Sequence, residues 1–229
     1  MCNFWNRRFI VKIVIINGSP RTDGLTATIL NGIADTLTDK NVDVDYYGLG
    51  RLSMAQCLGC CACYRIGHCV IDDDAEKISR AIADADGLVL GTPTYASNVS
   101  GLMKVFIDRG HFVIEQLLTG KYCVTVTTGE NYGSLDASKV LKNLVLYSGG
   151  ALIKNLVFNA PFNSGMTDSY EKLASDASHK LFEAINTNKS YPFQNVFHKI
   201  VFSVGIRPFV VRKGENYRGV VAKWKEYGV

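Results

Sequence analysis

The sequence contains no long apolar run and no strong concentration of charge. Nowhere in its 229 residues do about 18 uncharged apolar residues follow one another, so no membrane span is predicted. The net charge of +4 is too modest for a typical nucleic-acid binder. Internal repeats and low-complexity linkers are also missing. With 47% hydrophobic and 20% charged residues, the chain is expected to form one globular domain, with room for an appendage.

The amino-terminal residues lack the pattern of an export signal. Arg7 and Arg8 precede a short apolar run, but this run contains Lys12 and leads into a Gly-Ser-Pro loop instead of a cleavage site. We therefore interpret the run as a buried strand and residues 1–10 as an amino-terminal extension. The expected compartment is the cytoplasm, where cysteine clusters bind metals or do redox work more often than they form disulfides.

Short apolar segments alternate with helical patterns along the chain. The predicted strands cover residues 11–17, 42–49, 87–93, 121–128 and 151–160, and the predicted helices cover residues 25–38, 72–86, 100–117, 134–149 and 168–188. Apolar strands separated by helices favour a parallel sheet that is covered on both faces. Because crossover connections are right-handed, we expect a doubly wound α/β fold with a five-stranded parallel sheet in three α/β/α layers. This domain spans residues 11–188 and precedes a carboxy-terminal extension, residues 189–229.

The loop after the first strand, residues 17–28, has the composition of a phosphate site. It carries the hydroxyls of Ser19 and Thr26, the guanidinium of Arg21 and, just behind them, the start of a helix with free backbone N–H groups. The loop has neither the lysine of a Walker motif nor a GxGxxG pattern. A plain capped turn is the alternative, but the hydroxyls and the arginine favour phosphate.

Two further loops carry aromatic rings beside glycine or proline. Pro93 and Tyr95 follow the third predicted strand, and Gly129 and Tyr132 follow the fourth. Either tyrosine alone is typical of ordinary packing. Two such loops beside a phosphate loop form a slot for a flat phosphorylated ring, because ligands of open α/β sheets bind at the carboxyl ends of the strands. Flavin mononucleotide (FMN) is the expected ligand.

Four segments in order resemble one family. They are INGSPRTDGLTAT, CLGCCACYRIGHCVIDDDAEKI, GTPTYASNVSGLMKVFIDR and TTGENYG, which together are similar to the NADPH-dependent FMN reductase branch of flavodoxin-like proteins, and most of all to its iron–sulfur flavoproteins. The resemblance covers roughly residues 11–160. It implies that Ser19, Arg21, Thr26 and Ala27 bind the FMN phosphate, and that Pro93, Thr94, Tyr95, Ala96, Ser97, Asn98, Thr128 and Gly129 surround the ring. The chain departs from the pattern at Leu25, where many relatives carry Asn, so one phosphate hydrogen bond is lost or comes from the backbone.

Five of the seven cysteines fall within residues 57–69, and their spacing leaves several kinds of site open. Four of them form the pattern C-x2-C-x2-C-x5-C: Cys57, Cys60, Cys63 and Cys69. Four thiolates suffice for a [4Fe–4S] cluster, and the resemblance implies these four as its ligands. Cys61 is out of phase with them. Redox-active free thiols, a purely structural loop and a zinc site are the alternatives, although zinc sites are usually less compact.

Several other polar residues are interpreted as structural. We expect His68 to be an exposed loop residue, Asp108 and Arg109 to form an ion pair, and Cys123 to lie in the core. The acidic run of residues 72–74 is typical of a helix N-terminus.

The tail from residue 190 onward is both basic and apolar, with seven Lys or Arg against two Glu. Three arrangements are open: the tail packs on its own domain, exchanges onto a second subunit, or flanks a docking site for an acidic carrier such as ferredoxin. We favour packing between subunits, and therefore a homo-oligomer.

The motifs predict electron transfer and not hydrolysis. No Ser/His/Asp set or paired carboxylates are recognisable, and no GxGxxG motif provides a dedicated nicotinamide domain. The expected function is that of an FMN-dependent oxidoreductase of the iron–sulfur flavoprotein type, which transfers electrons between ferredoxin or NAD(P)H and a small acceptor. The alternatives are a cluster-free NAD(P)H-dependent FMN or quinone reductase, and a non-enzymatic flavin electron carrier or redox sensor.

Overall fold

A parallel β-sheet forms the centre of the computed structural model, which describes residues 10–130 and 133–229. The strands are β1 (Lys12–Asn17), β2 (Asp43–Gly48), β3 (Gly87–Tyr95), β4 (Asn98–Val99), β5 (Tyr122–Gly129) and β6 (Ala151–Asn159). Their order is β2-β1-β3-β5-β6 with all neighbours parallel, while β4 pairs antiparallel with the end of β3. The direction of winding reverses between β1 and β3, which is where an open α/β sheet binds its ligands.

Helices cover both faces of this sheet. They are α1 (Leu25–Thr38), α2 (Ala62–Ile66), α3 (Asp74–Asp84), α4 (Gly101–Arg109), α5 (Phe112–Glu115), α6 (Gly133–Tyr147), α7 (Asp168–Asn186), α8 (Pro192–Ile200), α9 (Arg207–Arg212) and α10 (Arg218–Tyr227). A π-helical stretch, Val201–Ile206, joins α8 to α9. None of the helices in the described chain combines the length and the apolar character that a membrane span requires.

The alternation of side chains along β1 builds two separate cores. Ile13 and Ile15 pack with α1 and α7 on one face, and Val14 and Ile16 pack with α3, α4 and α6 on the other. Both sets are fully buried, which explains the continuous apolar character of this strand. The predicted three-layer α/β/α fold with a five-stranded parallel sheet is confirmed.

The boundaries differ from the prediction mainly in one helix. The helical pattern over residues 100–117 is broken into α4 and α5, because Gly110 ends α4 and His111 has a left-handed backbone with φ of 50°. The short strand β4 was not predicted, since two residues carry no detectable periodicity. Residues 1–9 of the predicted amino-terminal extension lie outside the described residues, and so does Tyr132.

The carboxy-terminal tail is helical and packs on its own chain. The indole Nε1 of Trp224 donates a hydrogen bond to the carbonyl of Ile114 at 2.9 Å. The side chain of Gln194 bonds both backbone groups of Leu152 on the edge strand β6, at 2.8 and 2.9 Å. These contacts satisfy polar groups that the edge of a sheet otherwise leaves free. The first of the three arrangements considered for the tail is therefore present.

Candidate functional site

A cavity of about 640 Å³ opens at the carboxyl ends of β1, β3, β5 and β6. This volume lies within the range of small-molecule and cofactor sites. The cavity is lined by Ser19, Pro20, Arg21, Gly24, Leu25, Thr26, Pro93, Thr94, Tyr95, Ala96, Ser97, Thr128, Gly129, Glu130, Ala160, Pro161, Phe162, Asn163 and Ser164. Of the twelve residues that the sequence predicts as FMN contacts, ten belong to this lining, and Ala27 and Asn98 do not.

The loop that leads from β1 into α1 is a rigid turn with unused donors. The side chain of Asn17 accepts the N–H of Ser19 at 2.9 Å, and the hydroxyl of Ser19 accepts the N–H of Arg21 at 3.1 Å. Helix α1 begins after Gly24 without any side-chain cap, so its first N–H groups have no partner within the helix. The side chain of Ala27 is buried, so this residue can offer only its N–H to a ligand. The turn thus offers the donors that an anion site requires.

Leu25, like Ala27, has no polar side-chain group that could bind a ligand. Its side chain packs against the core on the α1 and α7 face of the sheet. The backbone at the start of α1 remains the source of hydrogen-bond donors at this position.

A buried hydrogen bond joins the start of α1 to the end of β5. The hydroxyls of Thr26 and Thr128 lie 2.7 Å apart, although 102 residues separate them in the chain. Both side chains are buried at the base of the cavity. This contact fixes the distance between the anion site and the loop after β5.

The turn between β3 and β4 carries two strained residues. Thr94 pairs with Val99 and Tyr95 with Asn98, so the residues between them form a two-residue hairpin turn. Ala96 and Ser97 both have positive φ, 48° and 59°, as a type I′ turn requires. Strain of this kind is concentrated at ligand sites.

Asn98 does not line the cavity because its side chain turns back on its own backbone. Its Oδ1 accepts the N–H of Val99 at 2.8 Å. The hairpin therefore places Tyr95, Ala96 and Ser97 at the cavity and leaves Asn98 outside it.

The hairpin and the end of β5 approach each other closely. A Cβ on Gly129 would lie 2.3 Å from the hydroxyl of Ser134 and 3.0 Å from that of Thr94, so only glycine fits here. The Thr94 Oγ1 atom is buried and has no hydrogen-bond partner within the described part of the chain. A ligand with a polar edge is the natural partner of this oxygen, because a buried hydroxyl without a partner is costly.

The loop after β6 forms a wall that the sequence analysis missed. Arg21 donates from Nη1 to Oδ1 of Asn163 at 2.8 Å, and its guanidinium lies 5.0 Å from the ring centre of Phe162. The N–H of Phe162 donates to the carboxylate of Glu130. The signal that finds this wall is topological, since the loop follows a predicted strand and all parallel strands end at one edge of the sheet.

These features fit FMN. The uncapped start of α1, the hydroxyl of Ser19 and the guanidinium of Arg21 suit a phosphate, which prefers helix N-termini and arginine. The strained hairpin and the unpartnered Thr94 hydroxyl suit the flat ring with its polar edge. The residues that would hold the two ends of FMN thus line opposite parts of one cavity.

The cysteine loop, residues 56–72, lies between the end of the 3₁₀ turn Leu49–Arg51 and the start of α3. Cys57 and Cys60 are exposed, Cys63 and Cys69 are half-buried, and all four are free thiols. Among the described residues, no three Cys, His, Asp or Glu side chains lie close enough together to bind one metal ion. The four sulfur atoms are therefore on one loop but not gathered at one point.

Two cationic side chains nevertheless face sulfur atoms of this loop. Burial lowers the pKa of His111, but its interactions with Cys63 and with Glu115 outweigh burial and raise the pKa to about 10. The ring Nδ1 of His111 lies 3.2 Å from the Glu115 carboxylate. Burial lowers the pKa of the Arg109 guanidinium, but its hydrogen bond with Asp73 and, after it, its interaction with the thiol of Cys69 raise that pKa. This donor chemistry fits sulfur in its thiolate form, as in an iron–sulfur cluster.

The remaining polar candidates are structural, with one correction. Asp108 and Arg109 do not pair with each other: Asp108 pairs with Lys104 at 2.6 Å, and Arg109 pairs with Asp73 at 2.8 Å. Asp73 also caps α3 by accepting the N–H of Ala75, which confirms the predicted capping role. His68 is exposed as expected.

Cys123 belongs to the core, as predicted. Its side chain is fully buried, and this burial raises the pKa of the thiol to about 12.

Comparison with known proteins agrees with this geometry. The profile of the NADPH-dependent FMN reductase family matches residues 11–164, from the start of β1 to the wall of the cavity. An iron–sulfur flavoprotein of Clostridioides difficile is 34% identical over 95% of this chain and 99% of its own length. The chain belongs to the NADPH-dependent FMN reductase family and, within it, to the iron–sulfur flavoproteins. Membership of this family makes it a flavin-dependent oxidoreductase.

Solved structures support the flavodoxin-like fold. A flavone reductase superposes with a TM-score of 0.63 at 17% identity, covering 77% of this chain and 63% of the reductase. A flavodoxin of Streptococcus pneumoniae superposes with a TM-score of 0.52 at 18% identity, covering 76% of this chain and 98% of the flavodoxin. At these identities the likeness establishes the fold. The match to the iron–sulfur flavoprotein of Clostridioides difficile covers 95% of this chain, so it extends beyond the residues 11–164 that the family profile matches.

Proposed function

We propose that the cavity at the carboxyl ends of the strands binds FMN and that the chain transfers electrons between a donor, NAD(P)H or ferredoxin, and a small acceptor. The observation that carries this proposal is the convergence of the anion site at α1 and the strained β3–β4 hairpin on one cavity of about 640 Å³. The two ends of that cavity match the two chemically different ends of the cofactor.

The anion end has three kinds of donor. The hydroxyls of Ser19 and Thr26, the guanidinium of Arg21 and the backbone N–H groups at the start of α1, including that of Ala27, hold the phosphate. A phosphate bound here gains from the positive end of the helix dipole as well as from the individual hydrogen bonds. Arg21 also donates to Asn163, so it connects the loop after β6 to the anion end of the cavity.

The ring end is formed by residues Pro93 to Asn98 together with Thr128 and Gly129. The backbone of the hairpin orients the ring, and the Thr94 hydroxyl bonds its polar edge. When bound, FMN would supply the capacity to take up a hydride and to release electrons one or two at a time. The protein's part is to hold the ring, to restrict water and to leave one face open to the reactants.

The donor binds transiently in this proposal. The first β–α turn is occupied by the anion site for FMN and has no GxGxxG motif, so the chain offers no separate nicotinamide domain. A reduced nicotinamide, or the edge of a ferredoxin, therefore approaches the ring through the open mouth of the cavity. A small acceptor then uses the same opening.

The test is a flavin titration followed by reduction. Protein freed of flavin is mixed with FMN, and NADPH or reduced ferredoxin is then added without oxygen while the flavin absorbance is followed. The proposal expects binding of one FMN per chain and loss of its absorbance with at least one of the two donors. Absence of FMN binding contradicts the cavity assignment, and binding without reduction by either donor leaves a carrier or sensor in place of an enzyme.

We further propose that Cys57, Cys60, Cys63 and Cys69 hold a [4Fe–4S] cluster once the loop closes around it. The support is the set of four free thiols on one loop, two of them facing cationic side chains. Such a cluster would supply one-electron transfer beside the two-electron chemistry that FMN would supply.

Cys61 provides a matched control for this proposal. It neighbours Cys60 and is also exposed, but it does not belong to the proposed ligand set. The variant Cys60→Ser is expected to lose most of its iron after anaerobic purification, and Cys61→Ser is expected to keep it. Equal iron contents in the two variants contradict the assignment.

A homo-oligomer is also proposed, on the evidence of the tail. Residues 192–212 expose seven large apolar side chains: Phe193, Val196, Phe197, Ile200, Val204, Phe209 and Val211. An apolar surface of this extent is typical of a protein interface. Sedimentation tests it: the double variant Phe193→Asp, Val204→Asp should dissociate to monomers, whereas Leu173→Asp on α7 should not. A wild-type monomer contradicts the proposal.

We also propose a cytoplasmic location, on the basis of the free thiols. All six cysteines in the described part of the chain are free, as expected in a reducing cytoplasm.

A further inference from the structure

Both ends of the cysteine loop meet at one buried guanidinium. Arg109, at the end of α4, donates from Nη1 to the carbonyl of Ala55 at 2.7 Å, just before the loop. The same residue binds Asp73, just after the loop, through Nη1 at 2.8 Å and Nη2 at 2.9 Å. Only 1% of the Arg109 side chain and 6% of the Asp73 side chain are exposed. A bidentate ion pair of this kind fixes the relative orientation of the two side chains as well as the distance between them.

Asp73 also binds both sides of the loop, and we call the pair of Arg109 and Asp73 the anchor. Its Oδ2 accepts the N–H of Ala55 at 2.9 Å, and its Oδ1 accepts the N–H of Ala75 at 3.0 Å. Ala55 is thus held through both of its backbone polar groups, one by each member of the ion pair. The seventeen residues between Ala55 and Asp73, which include all the loop cysteines, therefore start and end at fixed points.

One N–H group of the anchor remains unused. The Nε atom of Arg109 is buried and has no hydrogen-bond partner within the described residues. Burial lowers the pKa of Arg109, but interactions with Asp73 and with the thiol of Cys69 raise it. A buried N–H without an acceptor costs free energy, and a sulfur atom that carries negative charge is the acceptor it needs. The unused donor therefore points to a sulfur with more negative charge than a neutral thiol.

We propose that Arg109 is the positioning residue of the cysteine loop: it fixes both ends of the loop and donates its Nε–H to the sulfur of Cys69. The inference rests on the proposed cluster, in which Cys69 is the ligand most distant in sequence from the others. The N–H and the positive charge stabilise an electron-rich sulfur, so they favour the reduced state of the cluster. Asp73, with the opposite charge, holds Arg109 in place.

The opposite charges of the pair make the test selective. Three variants are compared: Arg109→Gln, Asp73→Asn and, as a control, Lys104→Gln in the exposed pair on the same helix. The midpoint potential of the cluster is followed by electron paramagnetic resonance. We expect a shift to more negative potential in Arg109→Gln, a shift to more positive potential in Asp73→Asn and none in the control. If the substitutions only loosened the loop, the midpoint potentials of the two variants would not shift in opposite directions.

A second readout follows the anchoring itself. The metal-free proteins are treated with trypsin, and cleavage after the exposed Arg65 in α2 is timed. Cleavage should be severalfold faster in Arg109→Gln and in Asp73→Asn than in the wild type and the control. In loaded protein, iron loss to a chelator should be about 10- to 100-fold faster in Arg109→Gln. Retained FMN shows that a variant is folded. If Arg109→Gln does not fold, the comparison of Asp73→Asn with the wild type decides the test.

The outcomes separate this inference from the cluster proposal. If the wild type contains iron but the potentials of both variants match the control, donation to Cys69 is wrong and the inference is overturned. If the wild type contains no iron, the cluster proposal fails, and the trypsin comparison decides the role of Arg109. Equal cleavage rates in all the proteins overturn the anchoring in either case.

Discussion

The hydroxyl groups of Thr26 and Thr128 form a 2.7 Å hydrogen bond at the base of the cavity. Thr26 lies in the first turn of α1, and Thr128 lies near the end of β5. This buried bond joins the anion site to the loop that borders the flavin ring in our proposal. In our proposal, this one contact between side chains fixes the relative positions of the residues that bind the two ends of FMN.

Thr26→Val tests that contact. The variant leaves the Thr128 hydroxyl without its partner, so we expect a loss of roughly 1 kcal/mol in the free energy of unfolding. It also removes a donor to phosphate, so FMN binding should weaken by roughly tenfold. Denaturant unfolding and fluorescence titration measure the two effects. Thr36→Val, which loses only a bond to the Gly32 carbonyl on the same helix, should bind FMN normally. Equal affinities in both variants contradict the prediction.

Arg21→Ala distinguishes binding of the phosphate from binding of the ring. A hydrogen bond between charged groups contributes about 1.5–3 kcal/mol, so the affinity for FMN should fall about tenfold or more. The affinity for riboflavin, which has no phosphate, should stay close to that of the wild type. Titration of both flavins against the variant measures the difference, with Arg80→Ala on α3 as the control. A similar loss for both flavins would mean that Arg21 acts on the loop after β6 and not on phosphate.

Ser97→Gly should stabilise the protein and weaken its function. A residue other than glycine in the left-handed region costs about 1–2 kcal/mol, and glycine removes this cost. Part of the gain is cancelled, because glycine also gives the unfolded chain more conformational freedom. We expect a net gain of up to about 1 kcal/mol in the free energy of unfolding, together with weaker FMN binding because the hairpin is less rigid. Thermal unfolding measures the first effect. Ser190→Gly, at an exposed position without positive φ, serves as the control and should show no gain.

Asp73 makes stability depend on pH in the acid range. Burial opposes its ionisation, but the hydrogen bonds from Arg109 and from the N–H groups of Ala55 and Ala75 prevail, so its pKa is lowered from 3.8. A lowered pKa adds stability that is fully present above 3.8 and is lost as the pH falls through the folded-state value.

The variant Asp73→Asn should therefore be less stable than the wild type by about 3 kcal/mol at neutral pH, because it leaves a buried guanidinium unpaired. The difference should shrink as the pH falls below 3.8. Denaturant unfolding from pH 7 to pH 3 measures it. Asp108→Asn, in an exposed pair, should change stability by less than about 1 kcal/mol. A difference that stays constant with pH contradicts the linkage.

The layers of the fold could be predicted because they depend on local periodicity. Helix α1 begins and ends at the predicted residues, and each predicted strand lies within two residues of its observed limits. The tail could not be predicted in the same way. Its helices are stabilised by distant contacts such as that of Trp224 with Ile114, which no short window of sequence reveals.

The site shows the same division. Loops that follow strands were predicted to meet, and residues such as Ser19, Thr94 and Gly129 do line one cavity. The wall at Phe162 and Asn163 was missed because its residues form no motif of their own. Cysteine spacing indicated a metal site, but spacing cannot tell where the sulfur atoms lie. Nor could it reveal that Arg109 and Asp73 close the loop, since 36 residues separate them.

The most direct test is the content of flavin, iron and acid-labile sulfide in protein purified without oxygen. Our account predicts one FMN, about four iron and about four sulfide per chain. FMN without iron or sulfide would contradict the cluster and leave a simple flavin reductase. Protein that contains no FMN, and takes up none when it is offered, would contradict the account of the cavity itself.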